Sequence, residues 1–307
     1  MNFIDNLGAA LRCLSDSNVA VFGTAKFVRN SAGSALGVTD TARLSLEYAE
    51  FSQNTSPGNG GAISMLAGGN LRITRGLLVD GNTCSQSGGG MHLTGGGRIT
   101  FAPNSVATFS NNKATVDGGA VMMAQGGNIE FEADSVATFR GNKAEANGGA
   151  VSLSDGARLV LYKATMALNS ADLGGALYMA VQGKTTVLPG GSICMSGNNA
   201  KTTGGGVYMK GATGGVLALD SAAVTQVMGG NTPNALVVLE GGRFLCNGGP
   251  ARGVGNATER IYEINGGSIC SCPEPPAATG PLDALGTTTC ASCPTGKQWN
   301  VDKCSCV

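Results

Sequence analysis

The sequence predicts an all-β chain: a single-stranded parallel β-helix with three strands per coil and about eight to nine coils. Three observations predict it. Segment 104–121, NSVATFSNNKATVDGGAV, recurs thirty residues later as DSVATFRGNKAEANGGAV (134–151), with twelve of eighteen positions identical. The apolar runs between turn residues alternate with a period of two and are too short for helices. The 50 glycines among 307 residues fall in register, whereas an aperiodic glycine excess would signal disorder.

The elements follow in chain order. Phe3, Ile4, Leu7, Leu11 and Leu14 stand at helical spacing. They predict either a short N-terminal capping helix over the open end of the first coil or the remnant of an earlier coil. From residue 27 onward an apolar residue, two spacers and Asn recur as Phe27–Asn30, Phe51–Asn54, Val79–Asn82, Phe109–Asn112, Phe139–Asn142, Met166–Asn169, Met195–Asn198 and Met228–Asn231. Successive asparagines lie 24, 28, 30, 30, 27, 29 and 33 residues apart. Five or six residues after six of them comes a Gly pair, as in Gly60-Gly61-Ala62-Ile63 and Gly118-Gly119-Ala120-Val121. The first and last repeats shorten this to GSAL (33–36) and PNAL (233–236), the atypical ends expected of a stacked array. In one unit the strands read RITFA (98–102), VATFSNN (106–112) and GAVMMA (119–124).

Stacking these coils assigns a role to each motif residue. Phe51, Phe109 and Phe139 point inward and form a column that removes rings from water. Asn54, Asn82, Asn112, Asn142, Asn169 and Asn198 form an amide ladder at a corner, where Asn also tolerates left-handed dihedrals. The Gly pair turns the chain where a side chain would clash. Domain boundaries follow: 1–26 as N-terminal cap and first coil, 27–269 as the repeat array, and 270–307 as a small module. That module holds Cys270, Cys272, Cys290, Cys293, Cys304 and Cys306, read as disulfide partners although the CxxC and CxC spacings also suit zinc. Cys13, Cys84, Cys194 and Cys246 are scattered and read as buried thiols.

Composition excludes some classes. Twenty basic and 20 acidic residues leave no net charge and no like-charge run, so a nucleic-acid surface is not indicated. No stretch reaches the roughly 18 apolar residues of a membrane-spanning helix. The cysteine cluster points to an oxidising compartment, and the N-terminus lacks the apolar core of a signal peptide. Together they predict an extracellular or cell-surface protein of which this chain is a fragment.

The alternating FxxN and GGA[ILV] motifs resemble the repeats of the chlamydial polymorphic outer membrane proteins. Full matches to both motifs occur at FSQN/GGAI, FSNN/GGAV and FRGN/GGAV, and relaxed forms extend the resemblance over roughly residues 27–240. It implies a right-handed, pectin-lyase-like β-helix on a cell surface, used in adhesion and followed by a membrane β-barrel. The chain departs from that plan after residue 270, where CSCPEPP, a Pro/Ala/Gly/Thr linker and CASCPTGKQWNVDKCSCV stand instead. The departure favours a non-chlamydial surface protein.

Candidate sites are few. No catalytic residue, metal site or cofactor is expected. The one histidine, His92, sits in MHL and faces outward. Asp80, Asp117 and Asp172 share no register that would make an acid cluster, and Glu130 and Glu132 form a solvated strand face. Aligning the strand after each Gly pair gives an outward column of Ser64, His92, Met122, Ser152, Tyr178 and Tyr208, which Val237 extends. Tyr178 and Tyr208, with Met122 and His92 beside them, are the candidate ligand-binding residues, as half-exposed aromatics that would hold a sugar ring or an apolar side chain. The expected partner is a host or neighbouring-cell surface protein or carbohydrate. The function predicted is non-enzymatic adhesion or ligand display. A polysaccharide lyase or glycoside hydrolase on the same fold, and a spacer for the Cys-rich module, are the alternatives. Of two sequons, Asn54 belongs to the inner ladder and Asn256 to a loop.

Overall fold

A computed structural model describes residues 1–210 in full, Asn231, and short strands beyond, the last being Ser305–Cys306. The described part is all-β and contains no helix. Parallel strands stack into a β-solenoid of about eight turns, in which each turn pairs with the one before and after it. Among the described residues three stacked sheets carry the turns. One contains Asn18–Val28, Arg43–Ser52, Asn70–Asp80 and Val106–Ser110; a second contains Ile63–Leu66, Met91–Leu93 and Val121–Met123; a third contains Thr83–Cys84, Lys113–Ala114 and Lys143–Ala144. Register is kept where repeats of equal length place like on like, so Val106, Ala107, Thr108 and Phe109 face Val136, Ala137, Thr138 and Phe139. Antiparallel strands appear towards the C-terminal end, where Glu259–Tyr262 pairs with Leu236–Leu239.

The core is a bundle of inward columns. Phe3, Phe27 and Phe51 stack at 4.7 and 4.4 Å, Phe109 on Phe139 at 4.7 Å, and Phe101 on Phe131 at 4.1 Å. Each buried ring contributes roughly 1.5–3 kcal/mol by leaving water.

The asparagine ladder is continuous. Asn112 donates through Nδ2 to the Val79 carbonyl at 2.8 Å and to Asn142 Oδ1 at 2.9 Å. Its own Oδ1 accepts from the backbone N–H and the Nδ2 of Asn82, both at 3.0 Å. The pattern runs from Asn6 to Asn231, and every one of these amides from Asn30 to Asn198 is fully buried. Both ends of each amide are satisfied, which is why a polar residue is tolerated there. The left-handed residue at this corner is the one before the asparagine, not the asparagine itself. Asp5, Arg29, Gln53, Gly81, Asn111, Gly141, Leu168 and Gly197 all have φ between 54° and 64°.

The two glycines of each pair serve different needs. The first takes positive φ, +65° at Gly118 and +73° at Gly88. The second lies against the next turn: a β-carbon on Gly119 would come within 2.2 Å of the Gly149 carbonyl oxygen. A second ladder precedes the pairs. The Ser87 N–H donates to Asn59 Oδ1 at 3.0 Å, the Asp117 N–H to Ser87 Oγ at 3.3 Å, and the Asn147 N–H to Asp117 Oδ1 at 3.0 Å.

Two expectations are decided by the structure. Of the two readings of the N-terminus, the capping helix does not form and the earlier coil does. Asn2–Ile4 and Leu11–Cys13 are strands, Asn6 Nδ2 donates to Asn30 Oδ1 at 2.6 Å, and Leu11 pairs with Leu36. Phe3-Ile4-Asp5-Asn6 is therefore one more turn of the array. Leu7 and Leu14, which the helix would have placed on one apolar face, are 90 % and 54 % exposed. Secondly, Cys13 and Cys84 are buried free thiols as expected, but Cys194 is disulfide-bonded. The side chains of Cys270, Cys272, Cys290, Cys293, Cys304 and Cys306, and that of Cys246, lie outside the described residues.

Candidate functional site

The sheet that follows the Gly pairs aligns the predicted column residue for residue. Ser64 pairs with His92, His92 with Met122, Met122 with Ser152, Ser152 with Tyr178, Tyr178 with Tyr208, and Tyr208 with Val237. Burial differs along it. His92, Met122 and Tyr178 are half-buried, while Ser152 and Tyr208 are 1 % and 5 % exposed. The Tyr178 and Tyr208 rings stack at 5.6 Å with 9° between their planes. The pair is thus one aromatic face with Tyr178 as its accessible member, rather than two half-exposed rings.

Electrostatics along the column are unfavourable to charge. Burial lowers the His92 pKa, and its Nδ1 has no hydrogen-bond partner among the described residues. Burial, and then the Asp117 carboxylate nearby, raise the Tyr178 phenol. Asp117 is itself raised, chiefly by burial, with the two Asn147 hydrogen bonds acting in the opposite sense. At neutral pH the column presents a neutral imidazole, a thioether and phenols.

The acids that sequence reading weighed for catalysis are engaged by the neighbouring turn. Ser110 Oγ donates to Asp80 Oδ1 at 2.6 Å, Thr202 Oγ1 donates to Asp172 Oδ1 at 2.7 Å, and Asp117 holds its rung of the second ladder. Glu130 and Glu132 do face outward together, but they form ion pairs with Arg98 and Arg72. These pairs are exposed and contribute little stability. Among the described residues no three His, Cys, Asp or Glu side chains come together as metal ligands. No described helix is long and apolar enough to cross a membrane, which does not bear on β-barrels.

Sequence reading missed the second ladder, because its role passes through three residue types, in Asn59 and Asn147, Ser87, and Asp117. The first turn was read as one of two alternatives, although FIDN (3–6) and GAAL (8–11) spell it.

The comparisons with known proteins agree with the geometry. No curated protein and no solved structure matches the chain significantly. The family model for the Chlamydia polymorphic membrane protein (Chlamydia_PMP) repeat matches residues 49–65 and 107–122. Those segments hold Phe51–Asn54 with Gly60–Ile63 and Phe109–Asn112 with Gly118–Val121, the residues that build the ring column, the amide ladder and the glycine turn. Two turns of the solenoid, those around Phe51 and Phe109, are thus similar in sequence to the repeat of the Chlamydia polymorphic membrane protein family.

Proposed function

We propose that the protein is a non-enzymatic cell-surface or secreted β-helix that serves adhesion or ligand display. The helix is right-handed, with three strands per coil. Residues 27–269, together with the turn at Phe3–Asn6, form its rigid shaft, and 270–307 form a disulfide-tied module. Its partner is a surface protein or carbohydrate of a host or neighbouring cell. One observation carries this reading. Asp80, Asp117 and Asp172, the aspartates weighed for catalysis, are each hydrogen-bonded to a neighbouring turn, while the sheet after the Gly pairs presents half-buried His92, Met122 and Tyr178. The repeat match and its surface-protein family support it.

The test is incubation of purified protein with plant, bacterial and host polysaccharides and with intact cells. Retention and release of reducing or unsaturated ends are scored separately, with and without calcium. Retention without turnover supports the proposal. Turnover of any polymer overturns it in favour of an enzyme.

A further inference from the structure

The first sheet bends once in every turn, and the bend varies in length. Registers give it as Phe22–Gly23 in one turn, Glu47 alone in the next, then Thr74–Arg75, then Ala102 through Ser105. A short bend beside a long one leaves a step. Here the step is a groove of about 670 Å³, walled by Pro103 and Asn104 of the long bend and floored by Tyr48, Gly76, Leu78 and Val106. That volume suits a small ligand. A second step occurs where Tyr162 alone follows the bend from Glu132 to Ser135. There the tyrosine is engaged by Asp134 and by the Lys163 ammonium, 5.5 Å from its ring centre. The groove at Tyr48 has no such filling among the described residues.

The groove is shaped for a ring. Tyr48 lies over Gly76, where a β-carbon would come within 2.8 Å of two ring carbons. Glycine at that position lets the ring lie flat, and Tyr48 remains 43 % exposed beside Leu78 and Val106, at 37 % and 51 %. The rim is polar but electrically balanced. Arg75 Nε pairs with Glu47 Oε1 at 3.1 Å, and Lys26 Nζ with Glu50 Oε2 at 2.7 Å. Each carboxylate has its cation, so neither an acidic nor a basic ligand finds an uncompensated charge. The terminal guanidinium N–H groups of Arg75 and the remaining lone pairs of Glu50 still offer hydrogen bonds. A flat apolar platform with donors and acceptors at its rim and no net charge matches a polyhydroxylated ring with one apolar face.

We propose that this groove binds a neutral pyranose residue of a surface polysaccharide, stacked on Tyr48 and hydrogen-bonded by Arg75 and Glu50. The inference rests on the adhesion reading and names its carbohydrate site. It is tested with the full chain on immobilised dextran, mannan and galactan, with alginate and heparin as acidic probes. The expected result is retention on a neutral polymer that falls about tenfold in Tyr48→Ala and severalfold in Arg75→Ala, while Tyr48→Phe and Tyr162→Ala retain wild-type binding. Unchanged melting curves for Tyr48→Ala and Tyr48→Phe separate this from misfolding, and Arg75→Ala repeats the test without altering the platform. Retention on acidic polymers only, equal loss in Tyr162→Ala, or undiminished binding by both Tyr48→Ala and Arg75→Ala overturns the site. Absence of retention on every polymer also overturns it. In that case retention on intact cells decides the adhesion reading separately.

Discussion

Replacing Asn112 by alanine tests whether the amide ladder holds the turns together. The substitution removes the acceptor of the Asn82 backbone N–H and of Asn82 Nδ2, both 3.0 Å away, and both donors lie in the fully buried ladder. It also removes the donor to Val79 and to Asn142. Two stranded buried donors cost about 1–3 kcal/mol each, so the expected loss is about 2–6 kcal/mol. Against a typical domain stability of roughly 5–15 kcal/mol that is a large fraction. Stacked arrays need not unfold in one step, so the reading should be local as well as global. Urea unfolding followed by circular dichroism gives the global loss, and native-state amide exchange gives the local one. The Asn82 amide should exchange at least about thirtyfold faster, the equivalent of the lower bound of 2 kcal/mol. Lys113→Ala, at an exposed neighbour, is the control and should stay within about 0.5 kcal/mol of wild type. If Asn112→Ala is no worse than Lys113→Ala, with Asn82 still protected, the ladder is ornamental and the reasoning fails.

Four further outcomes follow from the geometry. Gly119→Ala should cost about 3 kcal/mol in urea unfolding, because its β-carbon meets a backbone carbonyl; Gly126→Ala, with nothing nearer than 4.0 Å, should cost only the left-handed strain of about 1–2 kcal/mol. Leu168→Gly should stabilise by about 0.5–1 kcal/mol in the same assay, since φ is +58° there and glycine stands at the matching position in other turns. Asp117→Asn should raise the melting temperature at pH 7. The folded pKa of Asp117 is raised, so the native state binds the proton more tightly and loses stability as pH climbs from the unfolded value near 3.8 through the folded one; the advantage of the variant should therefore vanish towards pH 4. For His92 the sign is opposite. Its folded pKa is lowered, so stability falls as pH drops below the unfolded value of 6.5 towards the folded one, and His92→Gln should remove that loss in melting curves taken between pH 7 and pH 5.

Much of the fold can be read without coordinates. The interval between asparagines announces the turn, the alternation of Ala107, Thr108 and Phe109 announces the inward face, and the Gly pair marks a backbone without room for side chains. The column from Ser64 to Tyr208 was also legible, because register in a parallel stack is counting. The N-terminus was ambiguous for a physical reason. Residues 3, 4, 7, 11 and 14 fit a helical face, yet they fit short strands and turns equally well. Stacking of Phe3 on Phe27 and the Asn6–Asn30 bond decided between them.

What the sequence determines by itself is whatever repeats, since every copy of a motif meets the same motif above and below it. What only the tertiary structure decides is whatever differs between turns. Which residue takes the left-handed corner could not be read from Arg29, Gln53 or Leu168, because none of them is a turn former. The burial of Tyr208 and the step that opens the groove over Tyr48 depend on unequal bends and unequal side chains in neighbouring turns. Periodic contacts are local in the repeat and survive translation by one turn. Grooves arise where that translation fails, and only the assembled stack shows where it does.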